Sequence, residues 1–199
     1  FVTSDRETTA TPSTPVSSYR NPRSPITFSW TTSNTTGSTP TGADLQYYNG
    51  TDWVDLGHVD SSANTFTAPA NTFTVGSVQW RVRAYNADGV AGPWSAYATF
   101  TVVAAPLAPT VSADAVPFAT IRWQVDGQQA WRATVDGKTY GPYFGTEKSF
   151  TLPDYLADGE HTVTVEVQGQ YGLWSGPGSF TFTVTNQPGD QISLQGDFG

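Results

Sequence analysis

Few side chains in this sequence could do chemistry, and their spacing does not serve it. Cysteine is absent, which removes thiolate nucleophiles, disulfides and cysteine-bound metals. The two histidines, His58 and His161, are far apart and have no ligand-spaced companions. A nucleophilic triad needs a serine within hydrogen-bond reach of a histidine that a third group orients. His161 falls at an inward position of an alternating strand, and His58 in a polar strand or loop. The carboxylates Asp52, Asp88, Asp136 and Asp158 lie in turn sequences, where aspartate bonds backbone N–H groups, and not as a pair flanking a cleft. Asp154 to Glu160 gathers further carboxylates but lacks the alternating acidic positions of a calcium loop. A turn before a strand explains the same residues. The sequence therefore predicts no catalytic residue, no metal ligand and no cofactor site.

Aromatic side chains are the more serious candidates, because their faces stack on pyranose C–H groups or on a partner surface. Tyr48, Trp53 and Tyr97 are such residues in the first half, and Trp131, Tyr140, Tyr143 and Tyr171 in the second. The competing reading is structural: Trp53 and Tyr140 follow the turn pairs Asn49-Gly50 and Asp136-Gly137, and cross-strand aromatic pairs stabilise hairpins. Trp94 has a different setting. Arg81 and Arg83 alternate with the apolar residues Val78, Trp80, Val82 and Ala84, so they face outward. An indole between the two guanidinium groups gains cation–π attraction of ~0.5–1 kcal/mol at each contact. The matching outward positions in the second half are Thr164 and Glu166, which predicts no such stack around Trp174.

The elements that must position these residues are strands. Ile26, Phe28 and Trp30 alternate with polar neighbours, as do Val163, Val165 and Val167. A period of two marks half-buried antiparallel strands, and Asn-Gly and Asp-Gly supply the positive φ of tight hairpins. No segment has convincing helical periodicity. The pattern also occurs twice. Phe66-Thr67-Ala68-Pro69 matches Phe150-Thr151-Leu152-Pro153, and Gly92-Pro93-Trp94-Ser95 matches Gly172-Leu173-Trp174-Ser175. The spacing between matched residues drifts only where loops are expected, as in diverged duplicates. The predicted division is a polar segment at 1–10, a first domain at 11–104, a second at 105–186, and a Gly/Asp/Gln-rich linker at 187–199 toward a further part. Pro106 and Pro109 stiffen the joint.

About seven strands per copy is the count of an immunoglobulin-like sandwich. The chain resembles tandem fibronectin type III domains. Trp30 is similar to the family's second-strand tryptophan, and Val78–Asn86 followed by Gly92-Pro93-Trp94-Ser95 to its last two strands. Trp123, Val163–Val167 and Trp174-Ser175 repeat the resemblance more loosely. The family's usual tyrosine before the sixth strand is replaced by Val78 and His161. His161 can still donate to a corner carbonyl, whereas Val78 leaves that corner to packing, with Phe73 as the candidate.

The resemblance implies an all-β chain of two tandem fibronectin type III-like sandwiches, as in bacteriophage tail proteins and secreted bacterial surface proteins. The expected role is a non-catalytic spacer and interaction module of a larger extracellular, cell-surface or virion protein. Its expected partners are flanking domains of the same polypeptide, other surface or virion proteins, or a glycan. The alternatives are a glycan-binding adhesin module and an accessory segment of a secreted polysaccharide-degrading enzyme. Lys and Arg number 9 against 17 Asp and Glu, a net charge of −8. That balance argues against nucleic acid, whose phosphates need clustered cations. No apolar run reaches the ~20 residues of a membrane-spanning helix, so no membrane insertion is expected.

Overall fold

A computed structural model describes residues 8–34, 37 and 39–185. The expected linker at 187–199 lies outside them. The chain divides into two compact units, Phe1–Ala104 and Ala105–Gly199. All regular structure among the described residues is β.

The first unit contains β1 (Thr8–Thr14), β2 (Tyr19–Arg20), β3 (Ile26–Asn34), β4 (Gly42–Tyr48), β5 (Trp53–Val59), β6 (Thr65–Ala68), β7 (Gly76–Tyr85) and β8 (Ala98–Val102). They form one sheet in the order β1-β3-β6 and another in the order β2-β8-β7-β4-β5. β1 begins ahead of the expected boundary at residue 11, because Thr8 and Ala10 alternate inward and are buried. Alternation decides the faces of β7 as well: Val78, Trp80, Val82 and Ala84 are buried, and the residues between them face outward. The core is aromatic at its centre. Phe28 meets Trp80 edge-on at 4.9 Å and Phe100 at 5.8 Å, a geometry that the ring quadrupole favours. The Trp80 indole N–H donates to the Pro15 carbonyl at 2.9 Å, which offsets the cost of burying a donor. Phe73 and Val78 are both buried in this core, so packing closes the corner that lacks the tyrosine.

The second unit contains β9 (Thr110–Ala113), β10 (Thr120–Gln124), β11 (Ala130–Val135), β12 (Lys138–Phe144), β13 (Ser149–Thr151), β14 (Gly159–Gln168) and β15 (Gly178–Val184). Its sheets run β13-β10-β9 and β12-β11-β14-β15. Trp123, Ile121 and the valines of β14 fill its core. Asp136 and Gly137 have φ of 48° and 86°, the paired positive values of a type I′ hairpin turn. The Asn49-Gly50 turn works differently. Only Gly50 has positive φ, at 103°, while the Asn49 side-chain carbonyl accepts from the N–H of Thr51 and of Asp52 at 2.8 Å each. His161 accounts for its corner: Nε2 lies 2.9 Å from the Ala157 carbonyl and Nδ1 2.6 Å from Asp136.

Candidate functional site

The outer face of β4, β5 and β7 carries one continuous ladder. Trp94, on the loop between β7 and β8, lies 4.7 Å from the guanidinium carbon of Arg81 and 4.7 Å from that of Arg83. Arg81 also covers the Trp53 ring at 4.2 Å, and Arg83 lies 5.9 Å from Tyr85. Tyr48 is directly opposite Trp53 on the neighbouring strand. The rows end with Tyr48 at 5.7 Å and Tyr97 at 6.5 Å from Trp53, and His58 at 5.7 Å from Tyr85.

β4 fixes the arginines edge-on, leaving their faces to the rings. The Gln46 side-chain carbonyl accepts from Arg81 Nε and Nη2 at 3.1 and 2.8 Å, and the Gln46 amide donates to Asp55 at 2.8 Å. Asp44 accepts from Arg83 Nε at 2.9 Å and from the Tyr85 hydroxyl at 2.7 Å, and lies 2.6 Å from His58 Nδ1. Burial alone would raise the Asp44 pKa. Hydrogen bonds from His58, Tyr85 and Arg83 outweigh it and hold the carboxyl below its ordinary range.

The second unit has a stack after all. Arg132 lies over the Trp174 ring at 4.6 Å. Its guanidinium donates to both Glu166 carboxylate oxygens at 2.8 Å, a fork geometry that carboxylates match. The expectation failed because it searched only the strand beside Trp174. Arg132 comes from the next strand, where it faces Glu166 in register, so the outward carboxylate recruits the cation that its own position lacks.

The serine after each tryptophan is a participant that sequence reasoning passed over. Ser95 donates its N–H to the Val82 carbonyl at 2.9 Å, and its Oγ accepts from the Val82 N–H at 3.1 Å. Ser175 treats Val167 identically, at 2.8 and 3.0 Å. Serine thus presents a backbone donor and a side-chain acceptor to one residue of the neighbouring strand. The exact repetition of Trp-Ser was the available signal. Gly92 has its own reason: a Cβ there would collide with the Thr8 carbonyl.

The remaining aromatics fall into two groups. Tyr48 and Trp53 are half-buried and Tyr97 is exposed, with successive rings inclined by 54° and 45°. Trp131 is not an exposed contact residue. It is 5% exposed and packs on Trp123, Tyr143 and Phe150 at 4.8, 4.7 and 5.3 Å. It is in phase with the buried Ala133 and Val135, so the alternation of β11 takes it into the core. Tyr140 packs on Phe150 at 5.3 Å and donates its hydroxyl to Asp154 at 2.6 Å, and Asp154 also pairs with Lys138 at 2.8 Å. Burial and that carboxylate push the Tyr140 pKa up to about 12. Tyr143 and Tyr171 remain exposed. Among the described residues, no group of three or more His, Asp or Glu side chains is placed to hold a metal ion.

No family model matches the sequence, and no curated protein matches it. Solved structures do. The FN1–FN3 domains of chicken CNTN1 superpose with a TM-score of 0.59 at 16% identity, covering 88% of this chain and 67% of that one. The chain is a tandem of fibronectin type III-like folds. The fibronectin(III)-like modules of Clostridium thermocellum CbhA are also similar, at 18% identity and a TM-score of 0.48, covering 88% of this chain and 94% of theirs. In this pair of fibronectin type III-like folds the Trp-Ser motif sits where the last strand enters each sandwich. No described helix is long and apolar enough to cross a membrane.

Proposed function

We propose that the two fibronectin type III-like units form a non-catalytic spacer and interaction module of a larger extracellular or virion protein. One observation carries this reading: both histidines, with the carboxylates beside them, are engaged in fixing strands and corners. His58 and Asp44 lock Arg83 and Tyr85 into the ladder. His161 and Asp136 join the β11–β12 turn to β14. Each sandwich has its own core, so each sets a fixed distance between its ends. The fold alone does not specify the role. The test is an exchange within the parent polypeptide. Replacing the second unit by an unrelated sandwich of equal length should preserve assembly and activity, and deleting both units should abolish them. Loss of function on exchange would refute spacing as its role.

A second reading, glycan recognition, is favoured by the contiguous row Tyr48–Trp53–Tyr97. It predicts glycan-array binding that Tyr97→Ala removes. The tilt between its rings suits a single sugar better than a flat chain.

A further inference from the structure

In the second unit a concavity of about 340 Å³ is lined by Trp131, Tyr143, Phe144, Glu147, Ser149 and Phe150. Trp131, Tyr143 and Phe150 form a triangle of rings, with centroids 4.7, 5.3 and 5.9 Å apart. Phe144, next to it, is 84% exposed, the highest value for any large apolar side chain described. The lining therefore combines aromatic surface with one carboxylate.

The loop bearing that carboxylate is held from below. Gln128 is 4% exposed. Its amide nitrogen donates to the carbonyls of Gly145 and Glu147 at 3.0 and 2.7 Å, and its side-chain oxygen accepts from the core Trp123 indole at 2.7 Å. Gly145 N–H donates to the Gln129 carbonyl at 2.9 Å. Gly145 has φ of 145°, and a Cβ there would collide with the Glu147 carboxylate. A buried amide that bridges the core to both ends of the Gly145–Glu147 turn fixes where Glu147 sits. Such support is what a preorganised binding site requires.

We infer that this concavity is a binding site for a methylated ammonium group, with the packed Trp131 and Phe150 rings as its floor, the exposed Tyr143 and Phe144 rings as its walls, and Glu147 as its counter-ion. Aromatic faces attract cations, most strongly when the cation is desolvated. A primary ammonium carries three N–H donors that need acceptors, and the lining offers few. A trimethylammonium group has no donors and presents only methyl groups, so rings and a single carboxylate satisfy it. The net charge of −8 adds a long-range attraction for cations. This site is independent of the spacer role.

The test uses the whole chain and titrates tetramethylammonium, choline and the uncharged isostere 3,3-dimethylbutan-1-ol, following the amide and indole resonances of the second unit. The cations should shift resonances of Trp131 and of residues 143–150 saturably, and the neutral isostere should bind at least ~10-fold more weakly. Glu147→Gln and Phe144→Ala alter exposed side chains, and each should weaken choline binding ~3- to 10-fold with the remaining spectrum unchanged. Cosedimentation with phosphatidylcholine vesicles, lost in the same variants, would identify a lipid headgroup as the source. Choline binding without cosedimentation would identify a free or polymer-borne cation. Equal binding of the neutral isostere, or no saturable shift with choline, would overturn the inference.

Discussion

Replacing Trp94 with alanine removes the ring that both guanidinium groups of the first unit cover. Its cost can be worked from the structure. Two cation–π contacts, each at 4.7 Å, contribute ~0.5–1 kcal/mol apiece at a half-exposed site. The ring is half-buried, so roughly 100 Å² of apolar surface returns to water, about 2.5 kcal/mol at ~25 cal/mol/Å². Together these give about 3.5–4.5 kcal/mol, a large part of the stability of a domain this size. Trp174→Ala should cost ~0.5–1 kcal/mol less, because one guanidinium covers that ring instead of two. Urea unfolding of the whole chain, with amide exchange in β7 and β14 reporting the units separately, measures both. A double-mutant cycle between Trp94→Ala and Arg81→Met isolates the contact and should return ~0.5–1 kcal/mol of coupling. If Trp94→Ala cost under ~1 kcal/mol, or if the coupling were zero, the ladder would not stabilise the sheet and the reasoning would fail.

Further outcomes follow from the second unit. Both ring nitrogens of His161 face acceptors, Asp136 and the Ala157 carbonyl, and a neutral imidazole can donate from only one nitrogen. The Asp136 hydrogen bond, then the Ala157 carbonyl, raise the His161 pKa. Its stabilising contribution is complete below the unfolded value of ~6.5 and is lost as pH rises through the folded value. A carbon-bound proton titration by NMR should show the elevation, and Asp136→Asn should remove most of it. For Asp136, burial opposes ionisation, but the His161 and Thr162 hydrogen bonds prevail and lower its pKa. Its share is present above the unfolded value of ~3.9 and is lost as pH falls through the folded one. Tyr140 should stay a phenol until about pH 12; ultraviolet titration checks this, and Asp154→Asn should bring its ionisation lower. Gln128→Leu strands the Trp123 indole N–H and the Gly145 and Glu147 carbonyls, and should destabilise the unit by about 3 kcal/mol or more, read by thermal unfolding. An unchanged melting temperature would show that water replaces the amide.

Alternation and duplication made the sandwiches legible. The Trp94 stack was legible too, because its arginines are two residues apart on one strand and their outward direction follows from the apolar residues between them. Arg132 was not legible against Trp174. Its placement depends on which strand lies beside β14 and in what register, a long-range fact that neither sequence segment contains. Trp131 was misjudged although its alternation with Ala133 and Val135 was available. The Gln128 amide is a different case: a glutamine in a loop gives no sign of its burial until the partners around it are assembled.

The serine clasp bears on how a duplicated chain avoids confusing its halves. Two similar sandwiches in one polypeptide could exchange last strands, a characteristic failure of tandem domains. Ser95 and Ser175 reach back to residues only 13 and 8 positions earlier. Closing so short a loop costs less entropy than recruiting a strand from the other copy. Each penultimate strand can thus engage its own chain at the mouth of the loop before the final strand zips. Replacing the clasp in both copies would then increase strand-swapped dimers during refolding, visible as a concentration-dependent species, even where the folded monomer loses little stability.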